Sequence, residues 1–210
     1  MTTNREIDRL LGPSSYSYHG TYASDFLPRR NFTSFPTSLI INLCKHNIQE
    51  EGHYVAVYET QHDIYYFDSF ALNPSVLNAT PVCNLLDRSG KRQHFNVTPI
   101  QSVYSDKCAY FCIAFILFFD KISKKSIDNF VKLFHQNTRD NDEIVLEIKK
   151  QLKANHAKNW PCPWIYHTLE TIKKCAFDKF KTLFKKEIDK FIRQQEDIPH
   201  ETQIRYDICL

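Results

Sequence analysis

The spacing of hydrophobic and polar positions changes character several times along the chain. The most uniform stretch is Cys108 to Phe119, Cys-Ala-Tyr-Phe-Cys-Ile-Ala-Phe-Ile-Leu-Phe-Phe, which follows the polar run Gln101 to Lys107. A segment apolar on every face predicts a helix buried on all sides, with Ser105 or Asp106 as its N-cap. Upstream, Glu51 to Tyr58 and Asp63 to Phe70 read as two strands rich in β-branched and aromatic residues around a short polar turn, which predicts a hairpin. Helices are further predicted at Arg5–Leu11, Thr37–His46, Lys124–Asn137 and Glu143–Leu152, and a strand near His94–Ile100. The stretch through Pro13, Pro28 and Pro36 reads as irregular, and the link through Pro74 and Pro81 as irregular or helical. Strands followed by a helix packed beneath them predict an α+β fold: a small, mostly antiparallel sheet on a central buried helix.

Trp160-Pro161-Cys162-Pro163-Trp164 ends this pattern, since two prolines each remove an N–H and fix φ. The expected organisation is a domain over residues 1–160 and a basic amphipathic helical extension over 161–210. Within residues 171–195, eight Lys or Arg face three acids, against a net charge of +3 for all 210 residues. Such a helix is a solvated face over a packed stripe, a phosphate-binding surface, or a membrane-surface or partner contact. If it binds nucleic acid, Lys173, Lys174, Lys181, Lys185 and Lys186 are the candidate contacts.

Candidate chemistry centres on Cys108. A helix N-terminus carries partial positive charge and unpaired N–H groups, so it stabilises a thiolate. Cysteine is equally at home as a small buried hydrophobe. If the hairpin is symmetric between Thr60 and Gln61, His53 and Asp68 face each other, close enough for the carboxylate to accept the Nδ1–H and leave Nε2 for a thiol. The residues can therefore build a Cys-His-Asp triad, or be an edge-strand histidine and a turn acid without partnership. Gln101, seven residues before Cys108, could place its amide beside the thiol and form an oxyanion hole with the Cys108 N–H. Cys112, one turn deeper, reads as a core thiol.

Composition narrows the alternatives. Four glycines leave little room for glycine-rich phosphate loops. No apolar run reaches membrane-spanning length, and residues 1–8 carry no apolar signal region. Seven cysteines, an odd number, are then expected to be reduced, in cytosol or nucleus rather than outside the cell. The sequons at Asn31, Asn78 and Asn96 are in that case fortuitous. His156, Cys162, His167 and Cys175 fit no familiar zinc spacing, so no metal is expected.

The order His, acid, Gln, Cys, with Gln seven residues before Cys, resembles the adenovirus endopeptidase (adenain) family of cysteine proteases and its relatives in Polinton or Maverick elements and adintovirus-like genomes. The matching segments are Gly52-His53-Tyr54-Val55-Ala56-Val57, Tyr66-Phe67-Asp68-Ser69-Phe70, Gln101-Ser102-Val103 with Cys108-Ala109-Tyr110-Phe111-Cys112, and His19-Gly20-Thr21-Tyr22. They span roughly residues 16 to 120. The resemblance implies Cys108 as nucleophile, His53 as general base, Asp68 as orienting acid and Gln101 as oxyanion donor, with Gly52, Tyr54, Gly20 and Tyr22 binding substrate. It further implies a papain-like fold and a thiol protease acting, as a monomer, on capsid and core precursors in the infected cell and the virion. No cofactor is required for its chemistry, and viral DNA or a peptide serves as activator. Three departures stand out: Asp68 where the adenovirus enzymes use Glu, Tyr54 where Trp is typical, and Ala109 where glycine usually follows the nucleophile. No cysteine lies between Cys83 and Cys108 to hold a disulfide-linked peptide, which leaves Cys83 as the substitute. The alternatives are a SUMO- or ubiquitin-like deconjugating protease, or a catalytically idle DNA-binding packaging protein.

Overall fold

The computed structural model describes residues 2–28, 32–46, 52–121 and 125–156, with side chains as far as 154. The expected basic extension, the Trp160–Trp164 boundary and the five candidate DNA-binding lysines lie outside the described residues. So do Cys162, His167 and Cys175.

The fold is α+β. A five-stranded sheet in the order β1-β2-β3-β4-β5 is formed by β1 (Tyr18–Ala23), β2 (Thr37–Asn42), β3 (Tyr54–Glu59), β4 (Asp63–Phe67) and β5 (Arg92–Phe95). The pairs β2–β3 and β3–β4 are antiparallel, whereas β1–β2 and β4–β5 are parallel. The sheet is therefore mixed, not mostly antiparallel. A helix, α2 (Thr80–Ser89), supplies the crossover that a parallel β4–β5 pair requires.

Helix α1 (Asn4–Leu11) forms where expected, capped by the Thr3 hydroxyl accepting the Glu6 N–H. Within the segment expected as a helix over Thr37–His46, Thr37–Asn42 form a strand instead. Its Ser-Leu-Ile-Ile core is buried on both faces in the middle of the sheet, and a short apolar run has no period that separates strand from helix. Strand β1 replaces part of the expected irregular stretch. It is an edge strand of mixed burial, broken by a register shift between Tyr18 and Thr21 at Gly20, whose φ of +140° suits glycine. Strand β5 is shorter and earlier than His94–Ile100. Of the helix predicted over Lys124–Asn137, only Ile127–Val131 (α4) forms among the described residues, and Asn141–His156 (α5) outruns the expected Glu143–Leu152.

The helix Cys108–Lys121 (α3) begins at the predicted residue and is buried from Cys108 through Asp120. It packs under the sheet through an aromatic cluster in which Phe67 stacks on Phe115 at 4.9 Å and meets Phe130 edge-on. The sheet's other face covers a second cluster, with Val55, Val57, Ile64 and Tyr66 against Val82 and Leu86 of α2. Apolar layers on both faces explain why the inner strands show no polar alternation.

Candidate active site

His53 and Asp68 sit just outside the paired strands, one residue before β3 and one after β4. Thr60 binds Asp63 through its N–H and hydroxyl, so the turn centres between Gln61 and His62, one position later than predicted. The ladder pairs Ala56 with Phe67 and Val57 with Tyr66. Asp68 thus continues toward Val55, and His53 reaches it diagonally. His53 Nε2 lies 3.0 Å from Asp68 Oδ1. This corrects the expected geometry twice: the residues are not directly opposed, and Nε2 rather than Nδ1 meets the carboxylate. A diagonal pair is farther apart than an opposed one, and the ring's distal nitrogen spans the difference.

With Nε2 on Asp68, Nδ1 is the ring nitrogen left for a second partner, and the Cys108 thiol is near enough to act on the ring's proton affinity. Burial alone would lower the His53 pKa. The bond to Asp68 and the neighbouring Cys108 thiol, together with their charges, outweigh it and raise the group to about 9. These two acidic neighbours bias the ring toward its protonated form. Phe70 backs it, stacked at 5.1 Å, in a position to stabilise a cation.

Asp68 is fully buried. Its Oδ1 accepts from His53 and from the Phe70 N–H at 2.7 Å, while Oδ2 has no partner among the described residues. Asn96 clamps the Asp68 backbone from β5's exit: its Oδ1 accepts the Asp68 N–H at 3.0 Å and its Nδ2 donates to the Asp68 carbonyl at 2.6 Å. Sequence reading missed Asn96, which shows there as an Asn-Val-Thr sequon, and Phe70.

Gln101 is buried and its amide is fixed at both ends. Ser69 Oγ donates to Oε1 at 2.5 Å, and Nε2 donates one hydrogen to the Ser105 carbonyl at 2.8 Å, three residues ahead of Cys108. The Ser69 carbonyl also accepts the N–H groups of Ile100 and Gln101. Ser69 was likewise unremarked in sequence; its position next to Asp68 is the one signal it carries.

Cys108 opens α3, where the first backbone N–H groups have no intrahelical acceptor. Neither predicted cap residue acts as a helix cap. The Ser105 hydroxyl accepts the Lys107 N–H and donates to Asp142, and Asp106 pairs with Lys107. Cys112 is fully buried and its thiol donates to the Tyr54 carbonyl at 3.3 Å; burial, then the Cys108 and Asp68 charges, push it well above the ordinary thiol range.

The four remaining candidates divide. Gly52 lies flat on Asn42, where an added Cβ would come within 1.8 Å of Oδ1. Tyr54 is buried, its hydroxyl donating to Asn4 Oδ1 at 3.0 Å with the Thr2 carbonyl as the alternative acceptor at 3.2 Å. Burial and the Cys108 charge push its phenol up to about 12. Gly20 and Tyr22 lie on β1, separated from β3 by β2. Cys83 is on α2. Among the described residues no group of three or more His, Cys, Asp or Glu is placed to hold a metal ion, and no helix is long and apolar enough to cross a membrane.

A thiol at a helix start, an imidazolium beside it and a buried carboxylate behind that ring can carry out nucleophilic acyl transfer. Comparison with known proteins finds no protein-family model and no curated protein that matches the chain.

Proposed function

We propose that this chain is a cysteine endopeptidase. The observation that carries the reading is the His53 ring, bonded through Nε2 to a buried carboxylate, with the Cys108 thiol at the start of α3 near enough to act on its proton affinity. The imidazolium stabilises the Cys108 thiolate, which attacks a peptide carbonyl. The oxyanion is held by the Cys108 N–H and the second Nε2 hydrogen of Gln101. His53 protonates the departing amine, and water, deprotonated by the same ring, then hydrolyses the thioester. Asp68 orients the ring and balances its charge. On its resemblance to adenain, the natural substrates are precursor proteins of a virus or mobile element, with duplex DNA as an activator held by the basic residues beyond 160.

The test is brief, low-dose iodoacetamide labelling at neutral pH, mapped by mass spectrometry with and without duplex DNA. Cys108 is expected to label fastest, Cys112 slowest, and His53→Ala to abolish the Cys108 advantage. Cys108→Ser should abolish proteolysis and Cys112→Ser should retain most of it. Uniform labelling of Cys44, Cys83 and Cys108 in both conditions would sink the protease reading.

A further inference from the structure

We propose that Tyr66 is a positioning residue for Asp68, its hydroxyl donating through one buried water to the carboxylate oxygen that His53 leaves free; its part in turnover rests on the protease reading. Among the described residues two buried side-chain polar atoms have no hydrogen-bond partner, Tyr66 Oη and Asp68 Oδ2. They belong to residues two apart on β4 and its continuation, where alternation puts both on one face. Ile64 and Tyr66 pack in the cluster against α2, whereas Phe67 between them and Asp68 turns to α3 and stacks on Phe115. Both residues are sealed from solvent, Asp68 at 0% and Tyr66 at 1% exposure.

A phenol donates and a carboxylate only accepts, so the two orphaned atoms are complementary. The donors around Asp68 are committed elsewhere: His53 and the Phe70 N–H meet Oδ1, and the Asn96 amide meets the Asp68 backbone. Tyr66 and Asp68 make no direct bond, yet the Asp68 charge is the foremost charge acting on the phenol, ahead of Cys112 from α3 and Cys83 from α2. A water with one partner on each side spans about 5 Å, the reach of two hydrogen bonds of about 2.8 Å in series. Burial, then these charges, push the phenol above its ordinary range, so it stays protonated and able to donate throughout the range where His53 titrates. The consequence falls on His53. With a donor on each oxygen the carboxylate plane is fixed, and the charge drawn to Oδ2 tempers its pull on the ring's proton.

The experiment titrates the His53 ring by NMR in the full chain and in Tyr66→Phe, which removes one oxygen and keeps the ring. Tyr65→Phe, the same deletion on the strand's other face, is the control. The His53 pKa should rise by about half a pH unit in Tyr66→Phe and stay in place in Tyr65→Phe. With a cleavable peptide, kcat should fall about three- to tenfold in Tyr66→Phe with KM little changed. In the wild type the Tyr66 hydroxyl proton should exchange slowly and cross-relax with a long-lived water, a signal that does not depend on any variant folding. A His53 pKa that stays or falls in Tyr66→Phe, or a Tyr66 hydroxyl with no water beside it, overturns the link. A wild type that cleaves nothing and labels Cys108 no faster than Cys44 overturns the protease reading alone, because the titration and the water signal still decide the link.

Discussion

Asp68 and His53 are coupled so tightly that the charge of one sets the proton affinity of the other. Replacing Asp68 with Asn keeps the shape but removes the charge that, with Cys108, raises His53 to about 9. On the proposed protease reading, the basic limb of kcat/KM, where the ring loses the proton it would give to the leaving amine, is expected near pH 9 in the wild type and more than one pH unit lower in Asp68→Asn, with a fall in rate of about 100-fold or more. A pH–rate profile with an unmoved limb would contradict the coupling. At this scale the sequence was informative about identity and poor about orientation. A cysteine after a polar run and before an apolar one locates the helix start, and His53 and Asp68 flank one hairpin. Which ring nitrogen meets which partner depends on a one-position difference in the turn, set by Thr60 hydroxyl and backbone bonds that composition does not reveal.

The elements around the site work as a frame, and Asn96 is its least obvious member. By pairing with both the N–H and the carbonyl of Asp68, it continues the sheet's bonding with a side chain where the β4–β5 ladder has stopped. Asn96→Ala would leave both groups buried without partners, at a cost of about 1–3 kcal/mol for each. Denaturant titration should show a loss of about 2–6 kcal/mol for the two groups together, and on the protease reading kcat should fall with it as Asp68 drifts; a variant of unchanged stability would remove Asn96 from the frame. Element types were legible where period or burial was extreme, as in α1 and α3. They were illegible for β2, whose two buried faces erase alternation, and for β1, an edge strand of mixed burial, while for β5, polar in pattern, the type was legible and the bounds were not.

For the molecule as a whole, the site contributes to stability with a definite sign. The native state holds the His53 proton more tightly than the unfolded chain, so it binds more protons between the two pKa values and stability falls as pH rises. The contribution, on the order of a few kcal/mol, is fully present below about pH 6.5 and lost as pH passes through about 9. Urea denaturation at pH 6, 8 and 10 should show this decline in the wild type and a shallower one in the His53→Ala/Asp68→Ala variant; parallel curves would count against a native imidazolium. The α+β class was readable from strands preceding an apolar helix. The mixed strand order was not, because the parallel pairs involve β1 and β5, whose patterns carry little hydrophobic signal.

Ser69 has a mechanical consequence for the chain around it. Its hydroxyl and carbonyl hold Gln101 and Ile100, and its neighbour Asp68 holds the histidine, so one short stretch of backbone carries both the acid side and the amide side of the site. The two sides cannot be retuned separately. A substitution that shifts either moves the other, and energies measured for paired changes across Ser69 will not add, making this residue the common hinge through which any drift, adaptive or damaging, is transmitted.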